Sequence, residues 1–168
     1  MIQLVNGRGQ LGEELKKHIK NYKNKKNVFI YHTWNPWDRT QETQKKEYEK
    51  FINFVNAHLN YRILFISTYS QNDNYYVMYK QLAEAYLINK CKDALAIRLP
   101  SLIGNKGVLK KFKESKASPY GEIEFISLTE ASEKIIDLAS YNGLNKSFTI
   151  VGEKISAALA NELVNIKT

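Results

Sequence analysis

Short apolar runs alternate with amphipathic stretches along the whole chain. Residues 2–5 form a brief apolar strand, followed by glycines and then Leu11, Leu15 and Ile19 at helical spacing. Residues 27–32 are a continuous apolar run, as expected of a strand buried on both faces. Residues 34–38 read as a loop. Residues 41–59 read as a helix with Tyr48, Phe51, Ile52, Val55 and Leu59 on one stripe. A strand over 62–67 precedes a helix over 75–89 with Leu82, Ala85 and Tyr86 on its apolar side. Residues 94–99 form another strand, ended by Pro100 and Gly104, and residues 108–116 a short helix. Residues 124–128 are a strand or extended link. Thr129 then caps a helix through Leu138, a late strand covers 148–152, and a helix over 156–166 follows. Such alternation predicts an α/β domain: a mostly parallel sheet of about five or six strands, right-handed crossovers and helices on both faces. Ligands of such sheets lie at the carboxyl ends of the strands, where Gly7, Thr33, Thr68 and Pro100 fall.

Composition adds limits. With 168 residues, 43% hydrophobic and 25% charged, the chain suits one domain with a proper core, neither disordered nor bilayer-spanning. A single cysteine, Cys91, excludes an intrachain disulfide and a cysteine zinc site. His18, His32 and His58 are too scattered to predict a metal site. Met1 leads straight into a strand, leaving no room for a signal peptide, so the cytoplasm is the expected compartment. The net charge of +8 gathers in residues 16–26 and 106–116. The first reads as a solvated helix face and end; with no recognised motif, nucleic acid is not the expected partner.

Gly7, Gly9 and Gly12 stand in the order G-x-G-x-x-G after a strand and before a helix. A first glycine permits a tight turn, a second lets backbone approach a pyrophosphate, and a third lets the helix pack close. Two readings stand: a turn whose free N–H groups face phosphates, with Arg8 beside them, or a turn used only for packing. Tyr76 and Lys80 share one helix face, and Ser67-Thr68 ends the preceding strand. A lysine beside a phenol favours the phenolate, and a hydroxyl nearby can orient a substrate oxygen, as proton exchange with a carbinol requires. Tyr76 and Lys80 equally suit an ordinary half-buried helix tyrosine and a surface lysine. Trp34 and Trp37 around Pro36 fit either a stacking platform for a base or sugar or a loop packed on the sheet.

Several blocks resemble the extended short-chain dehydrogenase/reductase (NAD-dependent epimerase/dehydratase) family. Asn6-Gly7-Arg8-Gly9-Gln10-Leu11-Gly12 is similar to the turn of dTDP-4-dehydrorhamnose reductase-like proteins. Phe29-Ile30-Tyr31-His32 resembles the family's strand ending in a histidine beside the cofactor. Leu64 to Thr68 resembles the strand ending in the catalytic Ser or Thr, and Tyr76 to Glu84 matches Tyr-x-x-x-Lys-x-x-x-Glu. Ile97-Arg98-Leu99-Pro100, running on to Gly104, resembles the arginine strand and glycine turn that follow. The resemblance implies a reduced Rossmann-type domain over residues 1–168 acting on a nucleotide sugar, by reduction or epimerisation, in surface polysaccharide synthesis. It implies Thr68, Tyr76 and Lys80 as the catalytic set. NAD or NADP would be held by Gly7, Arg8, Gly9, Gln10, Leu11, Gly12 and His32. It also implies a homodimer through the helices over 41–59 and 75–89. The family's second and third strand units, with the residue that holds the adenosine ribose, have no counterpart here, and the substrate region is absent or reduced to residues 106–121. Tyr69 and Ser70 replace the Asp-Glu pair of the dehydratases, so dehydration is not expected. The alternative is a degenerate, non-catalytic relative that binds a nucleotide or nucleotide sugar, or docks on a partner enzyme.

Overall fold

In the computed structural model, which describes residues 1–104, 121–141, 146–159 and 162, parallel strands build one sheet. They are β1 (Ile2–Leu4), β2 (Val28–Tyr31), β3 (Arg62–Thr68), β4 (Ala94–Leu99) and β7 (Lys146–Thr149), in the order β1-β2-β3-β4-β7. Between them lie α1 (Gly9–His18), α2 (Gln41–Ala57), α3 (Tyr75–Lys90) and α4 (Leu128–Ala139). A second small sheet joins β5 (Ser101–Ile103), β6 (Glu122–Ser127) and β8 (Glu153–Ser156), β5 parallel and β8 antiparallel to β6.

The period of two along each strand sorts the core into two halves. Val28, Ile30, Leu64, Ile66, Leu95 and Ile97 face α1 and α4. Tyr31, Ile63, Phe65 and Ala94 face α2 and α3. Both faces of β3 and β4 are therefore covered, which is why Ile63 to Ile66 and Ala94 to Ile97 are unbroken apolar runs.

The order of strands runs one way from β1 to β4, yet α1 packs on the face opposite α2 and α3. The β1-α1-β2 crossover thus has the opposite hand to the two that follow, and the expected uniform right-handedness fails, against a preference of about 98%. Omission of the second and third strand units explains it. In the full doubly wound order, strand 2 lies on the other side of strand 1 from strand 4. A first helix joined directly to strand 4 keeps its face but crosses the other way.

Three further expectations are corrected. The buried face of α3 is Val77, Tyr79, Lys80, Ala83, Glu84 and Leu87, while Leu82 is 45% exposed and Ala85 also faces water. The cap of α4 is Ser127, whose Oγ accepts from the Glu130 amide at 3.1 Å, not Thr129. Residues 153–156, partly assigned to a closing helix, form β8; helix begins at residue 157. The small sheet itself was not anticipated. The short helix expected over 108–116, its lysine cluster, and most of residues 160–166 lie outside the described residues.

Candidate functional site

The glycine turn leaves β1 through two successive left-handed residues, Asn6 at φ 63° and Gly7 at φ 47°, with Gly9 at φ 80°. Asn tolerates this region better than most side chains, so the turn starts one residue before the glycine pattern does. The α1 N-cap, Arg8, makes no side-chain cap, and the first turn carries no acidic residue. Its free N–H groups and positive dipole end are therefore available to an anion. A Cβ on Gly9 would meet nothing within 4 Å. A Cβ on Gly12 would lie 2.7 Å from His32 Cε1 and 2.9 Å from the Gly7 carbonyl carbon, so Gly12 lets α1 close onto both. Leu11 anchors the same helix turn in the core, while Arg8 and Gln10 are exposed.

His32 directly follows β2, against this turn. Its Nε2 is buried without a hydrogen-bond partner among the described residues. Burial, reinforced by the Lys16 charge, lowers its pKa, so the ring is neutral at neutral pH.

Thr68 closes β3, and its Oγ1 accepts from the Ser70 amide at 3.1 Å. Asn74 caps α3 through Oδ1 to the Val77 amide at 3.0 Å, fixing the helix start one residue before Tyr75. One turn apart, Lys80 Nζ lies 5.3 Å from the centre of the Tyr76 ring. That ammonium is 5% exposed at residue level and donates to the Ile66 carbonyl at 2.8 Å. The rings of Phe65 and Trp34 sit at 5.5 and 5.7 Å from it. Lys80 is thus an enclosed cation facing aromatic π-surfaces. The Arg39 guanidinium also lies 5.2 Å from the centre of the Tyr76 ring.

The two tryptophans separate. Trp34 is packed at 9% exposure, its Nε1 donating to Gln44 Oε1 at 2.7 Å, whereas Trp37 is 91% exposed. Sequence reasoning missed Arg39 and Gln44. It also missed the pairing of Glu84 with Arg98, in which Arg98 Nε and Nη2 donate at 3.1 and 2.5 Å and Ser147 Oγ donates as well. Burial pushes the Glu84 carboxyl up, but these donors outweigh it and hold the pKa below the ordinary value. The two resembling blocks that contain Glu84 and Arg98 are therefore one ion pair tying α3 to β4.

No protein-family model matches the sequence, and no curated protein matches it significantly. Solved structures do match. The Bordetella bronchiseptica enzyme WbmG in complex with NAD superposes with a TM-score of 0.74 at 15% identity, covering 99% of this chain and 77% of that one. The dTDP-4-dehydrorhamnose reductase from Bacillus anthracis in complex with NADP gives 0.73 at 12% identity, covering 99% and 80%. The UDP-N-acetylglucosamine 4-epimerase from Bacillus cereus gives 0.67 at 18% identity, covering 98% and 83%. The fold is that of these enzymes. It is a reduced Rossmann-type domain that, among the described residues, has β1 at the end of the sheet and lacks the second and third strand units. No described helix is long and apolar enough to cross a membrane.

Proposed function

We propose that the chain is a short-chain dehydrogenase-like protein that reduces or epimerises a nucleotide sugar for surface polysaccharide synthesis in the cytoplasm. One observation carries this reading: the glycine turn, His32 and Thr68 terminate three neighbouring parallel strands at one end, with Tyr76 and Lys80 on the helix that follows. The uncapped α1 end and the room at Gly9 fit the phosphates of NAD or NADP, with Gly7, Arg8, Gln10, Leu11, Gly12 and His32 shaping that cradle. The adenosine pocket is missing in this reading, because no strand lies beyond β1 among the described residues, and affinity comes from the phosphate end. The nicotinamide group, when bound, supplies or accepts hydride. Tyr76 exchanges the proton at its hydroxyl, Thr68 orients the substrate oxygen, and Lys80 supplies the neighbouring positive charge.

Titration with NADH and NADPH tests the cradle: saturable binding abolished by Gly9→Asp is expected, and its absence up to millimolar cofactor refutes the reading. Tyr76→Phe should lower turnover by about 10²- to 10⁴-fold without moving the melting temperature. An active Tyr76→Phe protein would remove the mechanism.

The enclosure of Lys80 under Trp34 and Phe65 favours a second reading, a non-catalytic binder of a nucleotide or nucleotide sugar, or a subunit that docks on a partner enzyme. It predicts ligand binding without turnover. Either protein would be a homodimer through α2 and α3. In support, Tyr75, Met78 and Leu82 line the outer face of α3 at 44, 39 and 45% exposure. Sedimentation as a monomer at micromolar concentration would exclude it.

A further inference from the structure

The connection from β2 to α2 is held rigidly by its own side chains, yet it presents an indole to water. Asn35 Oδ1 accepts from the amides of Trp37 and Asp38 at 2.9 and 3.1 Å. The Asp38 carboxylate accepts from the Thr40 amide at 3.0 Å and from Thr43 Oγ1 at 2.6 Å. Gln44, fully buried, donates to the carbonyls of Asn35 and Asp38 at 2.9 and 2.6 Å while holding Trp34. The backbone on both sides of Trp37 is therefore held in place, with the indole 91% exposed. Arg39, two residues on, donates from Nε to the Pro36 carbonyl at 3.2 Å and lies over Tyr76.

An exposed indole offers a face on which any nucleobase stacks, and a guanidinium fork pairs with phosphate oxygens. Trp37 precedes Arg39 by two residues along the loop and Arg39 lies 5.2 Å from the Tyr76 ring centre, a succession that matches base, diphosphate and sugar in a nucleotide sugar. We infer that Trp37 and Arg39 form the substrate's nucleotide-binding arm, Trp37 stacking on the base and Arg39 pairing with the diphosphate so that the sugar reaches Tyr76. The inference rests on the nucleotide-sugar reading proposed above. The loop arm does its work before any chemistry, and its rigidity spares the ligand the cost of ordering it.

Calorimetry on the full chain tests this, with UDP as the probe and inorganic pyrophosphate as its base-free counterpart. Trp37→Ala should weaken UDP by roughly five- to a hundredfold and leave pyrophosphate unchanged. Trp37→Phe should recover much of the loss, and Arg39→Ala should weaken both probes. The melting temperature of Trp37→Ala checks that the protein remains folded. Equal UDP affinity in wild type and Trp37→Ala overturns the inference, as does an equal loss of UDP and pyrophosphate. So does a wild-type protein that binds neither. The NADH titration and Tyr76→Phe judge the proposed enzyme separately, since neither alters Trp37.

Discussion

The two faces of the main sheet are made of different materials. The side covered by α1 and α4 buries aliphatic side chains: Leu15, Val28, Ile30, Leu64, Leu95, Ile97 and Ile135. The side covered by α2 and α3 buries Tyr31, Trp34, Phe51, Phe65 and Tyr79, with Phe29, Tyr48, Phe54 and Tyr76 at its margin. Polar groups enter that aromatic half as well: Gln44, Lys80 and Glu84 are all buried there on the two helices. Aliphatic packing is indifferent to direction, whereas an aromatic ring with a polar handle must be oriented so that the handle finds its partner. The aliphatic face holds the sheet together; the aromatic face orients the groups that could do chemistry.

Substitutions can break this contrast or sharpen it. Phe65 and Leu64 are neighbours on β3, fully buried on opposite faces. Phe65→Ala should cost about 3–5 kcal/mol and Leu64→Ala about 2–5 kcal/mol in denaturant unfolding. Of the two, Phe65→Ala alone should also alter ligand affinity, by opening the enclosure of Lys80; equal effects on binding would erase the distinction. Gln44→Leu strands the Trp34 N–H and two loop carbonyls, so a loss of about 1–3 kcal/mol is expected by the same measurement. Glu84→Gln should cost about 1 kcal/mol at neutral pH, the half-exposed Arg98 limiting the gain from its charge. Because the folded carboxyl titrates below its ordinary 4.5, this contribution is complete above that value and lost as pH falls through the folded one. The gap between wild type and Glu84→Gln should therefore shrink as unfolding is followed below pH 4.5; a constant gap would mean that charge plays no part. Trp37→Ala should change stability by less than about 0.5 kcal/mol, since the ring is almost wholly exposed.

The aliphatic half was easier to read from the sequence. Leu11 and Leu15 bury where their spacing places them, and the runs in β2, β3 and β4 are strands because both of their faces are covered. Along α3 the same reasoning misled. Its inner face includes Lys80 and Glu84 while Met78 and Leu82 point outward, so hydrophobicity does not mark the buried side. The polar residues are tolerated inside because the Ile66 carbonyl and the Arg98 guanidinium, both distant in sequence, receive them. The strands β5 and β8 are too short for a period to show, and their pairing with β6 is a tertiary fact. At the candidate site, the positions of Gly7, Gly12, Tyr76 and Lys80 on turn and helix followed from spacing. The covering of Lys80 by Trp34 did not, because it depends on a loop folding across the sheet end.

The reversed crossover at α1 also says where this molecule can be lengthened. The chain passes from α1 to β2 through a short basic connection at the amino-terminal end of the sheet, and among the described residues β1 has a strand on one side only. Two strand–helix units grafted into that connection would have a vacant margin to pair with and would restore the usual hand to the first crossover. None of the existing strand neighbours would have to change. The junction after residue 21 is thus a splice point, at which a designer could add two strand–helix units to a scaffold that already stands without them.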